Sequence, residues 1–254
     1  MIIDTHAHYD DEAFDEDRDE LIKGLKDNGV ELVINASANI KGCKDTLKLI
    51  NKYDNIYGML GVHPSECMEL NEETINWIKD KSSIDKIVAI GEIGLDYYWP
   101  EPDREIQIKW FREQLELARE VKLPVNIHSR EAAKDTLDIM KEHKAEELGG
   151  IIHCYSYSLE TAKEFLKLGF NFGIGGVLTF KNARKLVEVV EYLPMDAIVL
   201  ETDAPYLAPV PNRGKRNDST NIKYVAEKIA EIKNISLEEV ISITNANAKR
   251  IYKI

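Results

Sequence analysis

Eight short runs rich in valine and isoleucine, each followed by an amphipathic stretch, constrain this chain more than any other feature. The runs are Ile2–Thr5, Leu32–Ala36, Tyr57–Val62, Ile87–Glu92, Val125–His128, Ile151–Cys154, Asn171–Ile174 and Ile198–Glu201. Most are apolar on both faces, as strands of a parallel sheet covered on both sides must be. Helical periodicity occupies 19–28, 41–53, 72–81, 104–121, 132–143, 159–168, 183–192, 220–232 and 237–252. Eight strand–helix units in 254 residues predict one domain spanning 1–254, an α/β fold of the (β/α)8 TIM-barrel type. An open dinucleotide-binding sheet needs a glycine-rich turn after its first strand. Here that turn reads His6-Ala7-His8-Tyr9.

No apolar run approaches the roughly 20 residues of a membrane span, so no membrane partner is expected. The chain opens directly on a strand, which leaves no room for a signal peptide. Three cysteines, Cys43, Cys67 and Cys154, stand at unrelated spacings. They make neither a disulfide framework nor a cysteine zinc site, and they suit a reducing cytoplasm. The formal net charge is −12. A generally anion-binding surface is excluded, and a nucleic acid would need a local basic patch or bound metal.

Five of the six histidines fall at or just after the end of an expected strand: His6, His8, His63, His128 and His153. His143 lies in a polar run at a helix end and reads as a surface residue. In a (β/α)8 barrel every strand's C-terminal end faces one rim, so these imidazoles converge although they are remote in sequence. Alternation along the first strand puts Asp4, His6 and His8 on one face. Glu92 closes the fourth strand between glycines, where an unpaired carboxylate is costly unless it meets a cation. Asp203 follows the eighth strand. Glu201, on the same face but deeper, is placed to orient a ligand or hold a charge pair, and Cys154 points away from His153.

Four imidazoles and two carboxylates exceed the three protein ligands of a single catalytic zinc. They suit two divalent cations, with Glu92 between them, His6, His8 and Asp203 on one, and His128 and His153 on the other. Catalytic roles are expected for Asp203 as proton acceptor, for Glu92, and for His63 as a donor to a phosphate oxygen or leaving group. Imidazole-rich sites favour Zn, Mn, Fe or Ni over Mg. The oligomeric state is not readable from the sequence, which is compatible with a monomer.

The motifs Ile3-Asp4-Thr5-His6-Ala7-His8, Gly61-Val62-His63-Pro64, Gly91-Glu92-Ile93-Gly94-Leu95-Asp96, His128-Ser129-Arg130, His153-Cys154, the 201–207 run and the 213–217 run resemble, together, the TatD-like metal-dependent deoxyribonucleases of the amidohydrolase superfamily. The resemblance runs nearly end to end. It implies the same barrel and the same six ligands, with glutamate rather than a modified lysine at Glu92. It also implies attack on DNA phosphodiesters, often as a 3′-end exonuclease on single strands or frayed ends. Deacylation of D-aminoacyl-tRNA is a second activity that it implies. Tyr155-Ser156-Tyr157 and Asp218-Ser219-Thr220 depart from the family's usual runs.

Arg213, Lys215, Arg216 and Asn217 beside the eighth strand are expected to clamp phosphate, and Arg130 is a further phosphate contact. A solvated loop is the alternative for the cluster. Tyr9, Tyr97, Tyr98 and Trp99 either stack on bases or pack as a lid. The acidic residues 10–20 read as a solvated segment ahead of a helix N-terminus. Two rival functions keep the same residues: an ester hydrolase acting on aminoacyl-tRNA, a lactone or a phosphotriester, and a non-catalytic metal-bound nucleic-acid binding protein.

Overall fold

The computed structural model describes residues 1–254. Strands β1 (Ile2–Ala7), β2 (Val30–Ala36), β3 (Ile56–Leu60), β4 (Ile87–Asp96), β5 (Val125–Arg130), β6 (Gly150–Ile152), β7 (Asn171–Ile174) and β8 (Ile198–Leu200) alternate with helices. These are α1 (Arg18–Gly24), α2 (Ile40–Lys52), α3 (Glu72–Lys81), α4 (Arg104–Val121), α5 (Ala133–Glu142), α6 (Leu159–Lys167), α7 (Arg184–Tyr192) and α8 (Ile222–Lys233), and α9 (Leu237–Tyr252) ends the chain. All strand pairs are parallel and run in order from β1 to β8. A parallel bridge between Ala7 and Ala204 and a bond from the His8 N–H to the Ala204 carbonyl bring β8 back to β1. The fold is a TIM barrel. No helix is long and apolar enough to cross a membrane.

Ile3, Ile34, Met59, Ala89, Ile151 and Val199 pack with Tyr252 and Ile251 of α9 in one apolar cluster. The hydroxyl of Tyr252 donates to the Thr5 carbonyl within it. A second, larger apolar layer joins the strands to the helices. Polar chemistry is thereby left to the C-terminal rim.

Three expectations change in detail. β4 runs four residues past Glu92, because Ile93–Asp96 pair with Ile127–Arg130 after a register shift between Ile90 and Ile93. Gly94 makes that pairing possible: its φ is +144°, and a Cβ there would stand 1.9 Å from the His128 carbonyl oxygen. The register of β1 on β2 also shifts between Asp4 and Ala7. His6 and His8 still share one face, as alternation predicts, but Asp4 does not join them. Asp4 turns to Thr202 and Ser219 instead, accepting from their hydroxyls at 2.6 and 2.5 Å. Finally, α1 is shorter than its pattern and begins at Arg18.

Candidate metal centre

His6 and His8 leave β1 pointing their Nε2 atoms at each other, 3.2 Å apart. Each ring is fixed from behind. His8 Nδ1 donates to the Ala36 carbonyl at 2.8 Å, and His6 Nδ1 donates to Asn126 Oδ1 at 3.0 Å. With the proton on Nδ1, each Nε2 presents a lone pair. Two facing lone pairs repel unless something positive sits between them. Glu92 Oε2 lies 3.4 and 3.7 Å from these nitrogens, and Asp203 Oδ1 lies 3.8 and 3.4 Å from them. Five of the six separations among these four atoms are thus 3.2–3.8 Å, and His6, His8 and Asp203 form a group whose donor atoms could hold a divalent cation.

The other oxygen of Glu92 faces a second group. His128 Nδ1 is 2.8 Å from Oε1, His153 Nε2 3.7 Å and His63 Nε2 3.9 Å. His153 stacks on His6 with ring centroids 3.5 Å apart. Behind His153, Glu201 Oε1 stands 3.1 Å from Nδ1, close but poorly aligned, and accepts from the Cys154 N–H at 2.6 Å. Behind His128, Asp96 Oδ2 lies 3.1 Å from Nε2.

The electrostatics point the same way. Burial opposes charge on Glu92, yet the imidazoles of His153 and His6 hold its carboxyl well below the usual range. Asp203, whose side chain is 15% exposed, is likewise held low, by His153 and His8. Burial opposes protonation of His8 and His153, but the surrounding carboxylates raise them to about 9 and about 10. The cluster favours positive charge at its centre, which protons supply when no cation does. His63 differs: burial and the neighbouring His128 push it down to about 3. Its Nδ1 accepts from the Ser65 N–H at 3.1 Å. The ring is thus neutral and carries its proton on Nε2, on the side facing Glu92.

The family sequence profile described as TatD related DNase matches residues 3–253. The chain belongs to the TatD family. It is 45% identical to the uncharacterized metal-dependent hydrolase YabD of Bacillus subtilis over the full length of both. It is 34% identical to the uncharacterized metal-dependent hydrolase YcfH of Escherichia coli K12, covering all of this chain and 96% of that one. The crystal structure of YjjV, a TatD homologue from Escherichia coli K12, superposes with a TM-score of 0.94 at 29% identity, covering 100% of this chain and 98% of that one. A TatD-family hydrolase from Entamoeba histolytica gives 0.88 at 27% identity, covering 99% and 97%. The protein is a metal-dependent hydrolase of this family.

In this TatD-family chain five of the six expected ligands line one cleft of about 940 Å³ with His63 and Arg130, and His6 lies fully buried beside Glu92. The basic run does not reach the cleft. Arg216 forms a two-pronged pair with Asp17 and lies over Phe14. Arg213 stacks on Phe180. Lys215 is exposed outside the cleft. The Asn217 side chain is fully buried, donating to the Thr202 carbonyl and accepting from Asn221. The run expected to clamp phosphate thus lies outside the cleft lining, with Arg216 held by Asp17, Arg213 by Phe180 and Asn217 by Thr202 and Asn221. Cys154 differs from its expected orientation. Its Sγ lies within 4.8 Å of ligand atoms of His153 and Asp203, and burial pushes its thiol well up, so it is protonated rather than a thiolate. The acidic segment is only partly solvated, since Asp10, Asp11 and Glu12 line the cleft. His143 pairs with Glu116 at the surface, as expected. Asp96 and Asn126 escaped the sequence reading. Asp96 looks like part of a turn, while Asn126 was legible as a lone polar residue in an apolar strand.

Proposed function

We propose that this protein hydrolyses phosphodiester bonds of DNA, from a single-stranded or frayed end, with two divalent cations. The observation that carries the proposal is Glu92, whose two oxygens face two different sets of nitrogens. Glu92, His6, His8 and Asp203 would hold one cation, and Glu92, His128 and His153 the other. Bound there, such cations supply Lewis acidity and make water a nucleophile near neutral pH. Imidazole donors favour Zn, Mn, Fe or Ni over Mg.

The chain's own residues do the rest. Asp203 is ionised and accepts a proton from the attacking water as the new P–O bond forms. The P–O bond to the leaving sugar oxygen breaks, and that oxygen takes the proton back. His63 is neutral, so it stabilises a phosphoryl oxygen through Nε2–H rather than acting as an acid. Arg130, whose guanidinium has no carboxylate partner, binds phosphate at the rim. The three free thiols suit reaction in a reducing cytoplasm.

A second reading rests on the cleft's acidic wall. Asp10, Asp11, Glu12 and Glu66 suit a cationic group beside the scissile bond, as the ammonium of an aminoacyl-tRNA ester would provide. Assaying single-stranded DNA and D-aminoacyl-tRNA side by side with the metal-loaded chain separates the two. Turnover of DNA alone supports the first reading, turnover of the ester alone the second, and turnover of neither contradicts both.

A further inference from the structure

Resting on the phosphodiester reading above, we infer that Trp99 is a stacking platform for the nucleobase attached to the phosphate held at the metal centre, with Arg130 receiving the phosphate that follows it.

Of the cleft's nineteen lining residues only Ala38, Trp99 and Tyr206 are hydrophobic. Trp99 is 56% exposed, whereas Trp77 and Trp110 pack against the core. An indole held open at the edge of such a cleft offers a flat apolar face to an aromatic ring. The loop that presents it is not loose. Asp96 Oδ1 accepts from the Tyr98 N–H at 3.0 Å while its other oxygen faces His128. Gln107 donates to the carbonyls of Asp96 and Pro102, and the Tyr97 N–H bonds the Arg130 carbonyl. The platform is thereby tied directly to the residue behind a metal ligand. Tyr9 and Tyr97 take no part: the first is buried against Ser219, and the second bonds Asp135. Tyr98 stands edge-on to Trp99 at 4.8 Å and carries the Arg130 guanidinium over its face at 3.8 Å. Stacking fixes that cation without neutralising it.

Charge gives the ligand a direction. Asp10, Asp11 and Glu12 follow β1, half-way round the eight-strand ring from Arg130 at the end of β5. Lys41, on the acidic side, is paired to Asp45. A polyanion is repelled on the β1 side and leaves over β4 and β5, where the exposed indole and the unpaired guanidinium lie. Phosphate at the centre, base on Trp99 and next phosphate at Arg130 describe one end of a single strand.

Calorimetric titration of the metal-loaded full chain with thymidine 5′-monophosphate and with deoxyribose 5-phosphate tests this without turnover. The wild type is expected to bind the nucleotide about five- to a hundredfold more tightly than the base-free sugar phosphate. Trp99→Ala brings the ratio close to one, and Trp99→Phe keeps most of it. Equal affinities in the wild type, or an undiminished ratio in Trp99→Ala, overturns the inference. Thymidine 3′,5′-bisphosphate adds a gain that Arg130→Ala removes; persistence of that gain overturns the role given to Arg130. A Trp99-dependent ratio together with no cleavage of oligothymidylate leaves the platform standing and refutes phosphodiester hydrolysis instead.

Discussion

Gly173 contributes to the site by lacking a side chain. A Cβ there would stand 2.0 Å from Glu201 Oε2, and Glu201 is fully buried with nowhere to retreat. Gly173→Ala should displace the carboxylate behind His153 and weaken metal binding about ten- to a hundredfold, the usual cost of losing such a partner. Equilibrium dialysis against the metal measures it, and wild-type affinity in a folded variant would refute the role. Proton competition gives a second residue-scale expectation. His8 and His153 are raised to about 9 and about 10, so below those values a cation must displace their protons. Affinity should therefore rise steadily from pH 6 to pH 9, and a flat profile over that window contradicts the assignment. The candidate ligands were legible in the sequence because each stands at a strand end beside others of its kind. Their partners were harder to read. Asp96 sits in a Gly-Leu-Asp run that resembles a turn, and nothing local reveals that it meets His128.

At the scale of elements, strand identity came from runs of Val and Ile, and strand ends did not. β6 and β8 stop at Ile152 and Leu200, just short of their functional residues, while β4 continues to Asp96. That extension depends on a glycine whose conformation and clearance a sequence does not display. Gly94→Ala places a Cβ against the His128 carbonyl at a φ that side chains rarely adopt. It should lower the melting temperature by roughly 5–10 °C, as a cost of about 2–3 kcal/mol does in a domain of this size. A thermal melt followed by circular dichroism reads this, and an unchanged midpoint would show that β4 and β5 tolerate separation here.

For the whole molecule, the sequence of alternating strands and helices sufficed to place the candidate ligands, His63 and Arg130 at one rim. It did not display the pairing of Arg216 with Asp17, because that contact joins segments far apart in the chain. A chain of net charge −12 with one unpaired arginine in its cleft should bind single-stranded DNA with a shallow salt dependence. The log–log slope is expected to be no steeper than about −2, against roughly −0.7 per neutralised phosphate for a single strand. A slope near −5, measured by fluorescence anisotropy, would restore the basic loop as a DNA surface. The most direct test of the account is hydrolysis of a single-stranded oligonucleotide as metal is added back to the stripped chain. The rate should climb to two equivalents per chain and fall at least about a hundredfold in Glu92→Ala. Full metal-dependent hydrolysis in Glu92→Ala would contradict it.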